Sequence, residues 1–236
     1  MKLPSQWTRA ASTKETSPPK AKLTSLGHVV QRMETILKNM NDVDHSPSAA
    51  AHLIKPQSPV AQNHQGFPAS LLLRSTPEHL EIGLYLSLAL QKIIQTVPLQ
   101  SPFLWTENQF QALATLAEEL SHFHYVLFRL GEGVPVSGLE LELQGEIDRF
   151  GFFFFLLWQY FPRPFLFRYL NQRLFVQYHL RQNLGPHLKE RYTTANTRAQ
   201  QFFLRNESLF CRGNPDVLLK LLRTTYRKRF PEKAKP

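Results

Sequence analysis

The tetrapeptide Glu119-Leu-Ser-His122 has the residue types and spacing best suited to chemistry. A spacing of three residues on a helix puts a carboxylate and an imidazole on the same face, and both groups bind divalent transition metals. Glu142 and Glu146 lie one turn apart on the next predicted helix and could supply facing carboxylates. The sequence therefore predicts a metal site with Glu119, His122, Glu142 and Glu146 as ligands.

This pattern is similar to the ligand set of ferritin-like di-metal bundles, in which two helices carry Glu-x-x-His and two others each donate a glutamate. Glu78 or Glu81 could come from the helix before. The fourth helix does not fit, because no second Glu-x-x-His follows residue 162. A metal-binding ferritin-like bundle or a metal-dependent enzyme is therefore the alternative hypothesis, with a divalent metal as its cofactor.

The same residues also fit a purely structural role. Glu119, His122, Glu146, Asp148 and Arg149 could form a buried polar network that fixes the register of two helices, because buried charges persist only when they are paired. Arg149 is one available cation, and Arg129 is a second. In this interpretation no cofactor is expected.

Other catalytic patterns have little support. The single cysteine, Cys211, lies beside Arg212, which could lower its pKa, but no Cys-His-Asp set can be argued. No phosphate-binding glycine loop or dinucleotide fingerprint is present. One cysteine cannot form an intramolecular disulfide, and the first thirty residues lack a signal-peptide apolar core, so a cytoplasmic location is expected.

Charge is distributed very unevenly along the chain. The net charge is +4 over residues 1–66, −6 over 67–162 and +12 over 163–236. A basic segment of this density attracts polyanions. Our leading hypothesis is therefore a non-enzymatic interaction protein whose basic half engages an anionic partner, either nucleic acid or an acidic protein. The candidate contacts are Arg168, Arg173, Arg181, Lys189, Arg191, Arg198, Arg205, Arg227, Lys228 and Arg229.

Aromatic residues are interleaved with these cations, as in proteins that stack nucleic-acid bases. Their helical spacing also fits a core, which would leave the arginines as a solvated face. The phenylalanine-rich run at residues 151–162 carries no charged side chain and is shorter than the roughly 20 residues that a spanning helix needs. We predict no transmembrane span, and contact with a membrane surface stays open.

Apolar periodicity and capping residues predict an all-α protein, an irregular bundle of five or six helices without a convincing strand. The alternation of LELEL at 139–143 also suits a strand, but no turn signal follows it, so helix is preferred. The predicted helices cover residues 77–97, 106–130, 137–161, 165–184, 187–206 and 215–229.

Three regions follow from composition. Residues 1–66 are predicted to be a mostly disordered tail with a short amphipathic helix at 22–40 and a Pro-rich linker at 41–70 leading out of it. Residues 67–230 form the helical domain, acidic over 67–162 and basic over 163–230, and residues 231–236 form a disordered tail. An isolated amphipathic helix has to dock on something, and docking on its own domain is the favoured alternative.

Overall fold

A computed structural model describes residues 25–62, 64, 66–75, 80–177 and 184–229. The tails predicted to be disordered, 1–21 and 231–236, lie outside these residues. So do Arg181, Glu78 and the start of the predicted helix 22–40.

The protein is mostly helical, as predicted. Over the described residues the helices are α1 (Leu26–Asn41), α2 (Pro59–Gln62), α3 (Leu88–Gln95), α4 (Glu107–Gly131), α5 (Gly138–Leu157), α6 (Arg163–Asn171), α7 (Pro186–Arg205), α8 (Glu207–Arg212) and α9 (Pro215–Arg227). Short 3-10 helices cover Ala49–His52 and Pro102–Leu104, and a π-helical turn, Gln172–Val176, extends α6.

A small sheet accompanies the helices. It consists of β1 (Leu53–Ile54), β2 (Ala69–Ser75) and β3 (Leu80–Leu86), in the order β1-β3-β2. β3 pairs in parallel with β1 and antiparallel with β2. The segment 41–70, predicted to be a linker, thus contains a 3-10 helix, β1 and the start of β2.

The prediction of a helix over 77–97 is wrong in its first half, where the chain forms β3. Leu84 and Leu86 are buried, and Ser87 then caps α3 through a bond from the Leu90 N–H. A short run that is apolar on all sides suits a buried strand as well as a helix. The hydrogen-bond partner that decides between them, β2, begins eleven residues before β3, so local spacing did not identify it.

The two central helices begin at polar caps. Thr106 and Gln109 form a reciprocal capping box at the start of α4, and the Ser137 hydroxyl accepts a bond from the Glu140 N–H at the start of α5. Such caps satisfy backbone donors that the first helical turn leaves unpaired. The helical alternative for residues 139–143 is therefore confirmed.

Helix α5 is the centre of the core. It packs against α4, α7, α1 and α6, and is buried on nearly all sides. Phe150, Phe152, Phe153 and Phe154 are fully buried. The phenylalanine-rich run therefore faces a protein core.

Helix α1 packs against its own chain. Its apolar face (Val29, Val30, Met33, Leu37 and Met40) is buried, and α1 contacts α5, α9 and α4. Helix α1 thus docks on its own domain, which was the favoured alternative.

A buried carboxylate, Glu34, joins α1 to α4 and to the following loop. It accepts hydrogen bonds from the Ala49 N–H at 2.8 Å and the Ser48 hydroxyl at 2.9 Å, and lies 3.2 Å from Nε2 of His124. Burial alone would raise the pKa of Glu34, but the nearby His124 imidazole and the bonds from Ala49 and Ser48 lower it to about 2. The ionised carboxylate is thus strongly preferred in the folded state.

A Glu34→Gln variant is expected to lose about 3 kcal/mol of unfolding free energy at pH 7, because the folded state lowers this pKa from 4.5 to about 2. Since the folded pKa is depressed, this stabilisation is present above pH 4.5 and disappears as the pH falls towards 2. Urea unfolding across this range should show the gap between variant and wild type closing. The exposed Glu190→Gln serves as control, and a gap independent of pH would contradict the assignment.

Candidate metal centre

The candidate site lies between α4 and α5. Contacts from Glu118 to Arg149 and from Tyr125 to Glu140 show that the two helices run antiparallel. Glu118 and His122 are one turn apart on α4, and Glu142 faces them from α5. Each of the three offers one donor atom, and these atoms lie within 4.8 Å of one another.

His122 is the centre of this group. Its side chain is buried, with 6% of the residue exposed. Its Nε2 atom lies 3.7 Å from Oε2 of Glu142, which is too long for a hydrogen bond, and Nε2 has no hydrogen-bond partner among the described residues. A buried nitrogen without a hydrogen bond is uncommon in proteins.

Gly145 allows α5 to approach the imidazole closely. A Cβ atom at this position would lie 2.7 Å from Nε2 of His122 and 3.3 Å from Cγ of Glu118. His122 and Glu118 thus converge over the one residue of this helical turn that has no side chain. Any larger residue would have to displace the imidazole.

Two of the four predicted ligands lie in other positions. Glu119 is 3.9 Å from Nδ1 of His122, on the opposite edge of the ring from Glu142. Glu146 contacts the Arg149 guanidinium directly, and Arg149 also donates to Glu118 at 3.0 Å. The three-donor set is therefore Glu118, His122 and Glu142, with Glu119 and Glu146 beside it.

Sequence reasoning missed Glu118, although it is four residues before His122 and so shares its helix face. It also missed the role of Arg191, which reaches from α7 and donates to Oε1 of Glu142 at 3.0 Å. The first could have been found from spacing. The second could not, because α7 is about fifty residues away in the chain.

The carboxylates control the charge of the imidazole. Burial alone would lower the pKa of His122, but Glu119, Glu142 and Glu118 raise it to about 9. Burial raises the pKa of Glu142, while His122 and Arg191 act in the opposite direction. The imidazole is therefore protonated at neutral pH, and a metal ion must displace this proton to bind.

Burial and the neighbouring carboxylates, opposed by Arg149, raise the pKa of Glu146 to about 7. Its direct contact with the guanidinium keeps it close to one partner. Arg149 in turn donates to Glu118, so Glu146 is linked to the donor set through the Arg149 guanidinium.

The donors open into a cleft of about 980 Å³. One side is charged and includes Glu107, Arg173 and Arg191, while Leu71, Leu174, Leu184, Leu188 and Tyr192 supply apolar lining. This volume is in the range of small-molecule sites. A ligand as large as a metabolite could therefore reach the three donors.

Of the residues predicted to form a buried polar network, Glu119, His122, Glu146 and Arg149 lie at the candidate site, whereas Asp148 bonds to other residues. Asp148 accepts from Asn41 at 3.0 Å, Ser121 at 2.6 Å and Gln144 at 2.8 Å. Arg129 instead pairs with Glu132 at 2.7 Å. This network joins α1, α4 and α5 through Asn41, Ser121 and Gln144.

Three of the basic residues proposed to bind polyanions pair with acidic residues of the same chain. Arg173 pairs with Glu107, Arg191 with Glu142, and Arg227 with Asp42. Arg198 is half-buried and Arg181 lies outside the described residues. The exposed members are Arg168, Lys189, Arg205, Arg227, Lys228 and Arg229.

Comparisons with known proteins give no family for this chain. No family model matches the sequence, and neither a curated protein nor a solved structure matches it. Among the described residues, no helix combines the length and apolar character needed to cross a membrane. The functional argument therefore depends on the site itself.

Proposed function

We propose that this protein binds one divalent transition-metal ion through Glu118, His122 and Glu142, and that the cleft gives a small molecule access to that ion. The observation that carries the proposal is the buried Nε2 of His122. Nε2 has no hydrogen bond among the described residues and lies 3.7 Å from Oε2 of Glu142, and His122 shares a 4.8 Å donor cluster with Glu118 and Glu142. A metal ion would satisfy all three groups.

The donor types favour particular metals. Imidazole suits Zn²⁺, Fe²⁺ and similar ions, whereas Ca²⁺ and Mg²⁺ prefer sites made only of oxygen. Zinc–ligand distances of about 2.0–2.2 Å put neighbouring donors about 3.4 Å apart. Binding would therefore draw the three side chains inward by about 1 Å.

Neighbouring residues would hold these donors in position. A metal-bound histidine usually directs its other nitrogen towards a carboxylate or carbonyl, and Glu119 lies on the Nδ1 side of His122. Arg149 and Arg191 hold one oxygen each of Glu118 and Glu142 at 3.0 Å. These contacts would orient the ligands before the metal arrives.

Three protein ligands leave at least one coordination position for water or substrate. A metal in such a site lowers the pKa of bound water and polarises oxygen atoms of a ligand. An open site next to a small-molecule cleft supports a metal-dependent enzyme over a structural metal. The proposal therefore follows the alternative hypothesis of a metal-binding helical bundle, but with a different ligand set and a single metal ion.

A titration with Zn²⁺ tests the proposal. The metal-free wild-type chain should bind one equivalent, and Glu118→Gln should bind about 10- to 100-fold more weakly, because a ligand with a formal charge is lost. Affinity should also rise with pH, since the metal replaces the His122 proton. Calorimetry provides the measurement.

Glu107→Gln is the matched control, because Glu107 lines the same cleft and is not one of the three donors. It should bind Zn²⁺ like the wild type. Equal losses in both variants would mean that the cleft attracts cations only through its general negative charge, and the proposed ligand set would be wrong.

The interaction of the basic half with an anionic partner stays a separate prediction. Three of its arginines are paired within the chain, which weakens the case for a continuous nucleic-acid surface. The surface around α6, which belongs to the same basic half, supports the proposal of a more specific partner.

A further inference from the structure

Two adjacent apolar side chains are strongly exposed at one end of the molecule. Phe103 is 61% exposed and Leu104 is 70% exposed, the highest values among the large apolar side chains of the described residues. Both belong to the 3-10 helix before α4, whose first residue, Pro102, is buried. The short helix is thus anchored at its start and presents its two largest apolar side chains to solvent.

Exposed aromatic rings continue this surface across the molecule. The Phe103 ring lies 5.6 Å from that of Phe161, which lies 6.0 Å from Phe165, which in turn lies 6.1 Å from Tyr169. Phe165 and Tyr169 are themselves exposed. We call the surface formed by Phe103, Leu104, Phe161, Phe165 and Tyr169 the aromatic patch.

The exposed aromatic residues of α6 lie outside its buried face. The buried face of this helix consists of Leu166, Phe167 and Leu170. Phe165 and Tyr169 are one turn apart on its exposed face, where a helix of this kind normally carries polar residues. Contiguous exposed apolar surface usually marks a contact with a partner or a membrane.

Basic residues lie beside the α6 end of the patch. Helix α8 packs against α6, with the Phe167 and Phe210 rings 5.9 Å apart, and Arg163 at the start of α6 donates to the Gly213 carbonyl at 2.7 Å. Arg212 precedes Gly213 in the chain and therefore lies near the first turn of α6. Arg168 lies between Phe165 and Tyr169 in the chain and is exposed, as is Arg212. The apolar patch thus has a cationic border.

We propose that the aromatic patch docks on an anionic lipid surface, with Phe103 and Leu104 entering the interface and Arg168 and Arg212 contacting lipid phosphates. Aromatic side chains concentrate at the boundary between headgroups and acyl chains. Basic residues near the surface add attraction to anionic lipids. Contact through a second copy would bring the same cations together, so the charge favours lipid. This inference is independent of the metal site.

Sedimentation of the full chain with lipid vesicles tests the proposal. The wild type should bind phosphatidylcholine vesicles that contain about 30% phosphatidylserine, and bind pure phosphatidylcholine much more weakly. The double variant Phe103→Ser, Leu104→Ser should bind the anionic vesicles at least about ten-fold more weakly. Arg168→Gln with Arg212→Gln should lose about five-fold per arginine, and its loss should shrink at high salt.

The control variants change the other end of the molecule. Leu130 is exposed at the far end of α4, about 30 Å from Phe110 along the helix axis. Leu130→Ser and Arg229→Gln should bind anionic vesicles like the wild type. All these changes are at exposed positions, so circular dichroism should show an unchanged fold.

Three results would overturn the proposal. The wild type could fail to bind anionic vesicles. The controls could lose as much binding as the patch variants, which would indicate a general charge effect. Sedimentation equilibrium could show a dimer that Phe103→Ser, Leu104→Ser dissociates while vesicle binding is unchanged, which would make a second copy the occupant.

Discussion

A His122→Ala variant is expected to bind Zn²⁺ at least about 100-fold more weakly than the wild type, because replacing even an outer-shell partner of a metal ligand costs about 10- to 100-fold. His122 supplies the only nitrogen of the three-donor cluster, and its Nε2 has no hydrogen bond among the described residues. Its removal leaves two carboxylates, of which each is already engaged by an arginine.

Thermal unfolding with and without Zn²⁺ measures this loss without knowledge of a substrate. A ligand present at about 100 times its Kd stabilises the folded state by about 2.7 kcal/mol. The wild type should therefore gain stability in Zn²⁺, whereas His122→Ala should gain no more than about 0.4 kcal/mol at the same concentration. His28→Ala, which removes an exposed histidine on α1, should behave like the wild type. Equal stabilisation of wild type and His122→Ala would exclude His122 as a ligand.

A Phe150→Ala variant is expected to lose about 3–5 kcal/mol of unfolding free energy, the cost of truncating a buried phenylalanine. Phe150 is fully buried on α5 and stacks on Phe203 of α7 at 3.8 Å. Its ring also meets Phe175 and Phe210, at 5.8 Å and 5.7 Å. The cavity would therefore lie where four elements meet.

Urea unfolding provides the measurement, and Phe103→Ala is the matched control because Phe103 is mostly exposed. The control should change the unfolding free energy by no more than about 0.5 kcal/mol. A small loss for Phe150→Ala, with an unchanged dependence on urea, would mean that α7 closes the cavity and that the aromatic cluster is less constrained than its geometry indicates.

Periodicity and capping residues predicted the helices well where both signals were strong. For α4 and α5, apolar spacing fixed the element and Thr106 and Ser137 marked its start. The sheet was missed for a physical reason. β3 pairs with β2 and β1, and its Leu84 lies opposite Leu71 of β2 and Leu53 of β1. Pairing between distant parts of the chain has little effect on the local sequence pattern.

The site was predicted in part. A spacing of three residues correctly brought Glu119 and His122 together, at 3.9 Å, but spacing does not tell which nitrogen of the imidazole each carboxylate faces. That depends on the packing of α5 at Gly145, where the imidazole fills the space of a missing side chain. Only the three-dimensional arrangement shows that Glu142 lies 3.7 Å from Nε2 and Glu119 lies 3.9 Å from Nδ1.

The charge asymmetry along the chain is partly explained by ion pairs within the fold. Arg173 and Arg191 come from the basic half and pair with Glu107 and Glu142 of the acidic half. A net charge counted along the chain cannot distinguish cations that pair within the fold from those that face a partner. The exposed arginines around α6 are the ones for which a partner is now proposed.

The stoichiometry of bound metal tests the central claim most directly. The untagged full chain would be loaded with Zn²⁺, passed through a desalting column and analysed for metal beside His122→Ala treated in the same way. We predict about one zinc ion per wild-type chain and none above background in the variant. A wild-type chain without zinc, or a variant that retains as much, would contradict a metal centre at Glu118, His122 and Glu142 and leave these residues as a structural polar network.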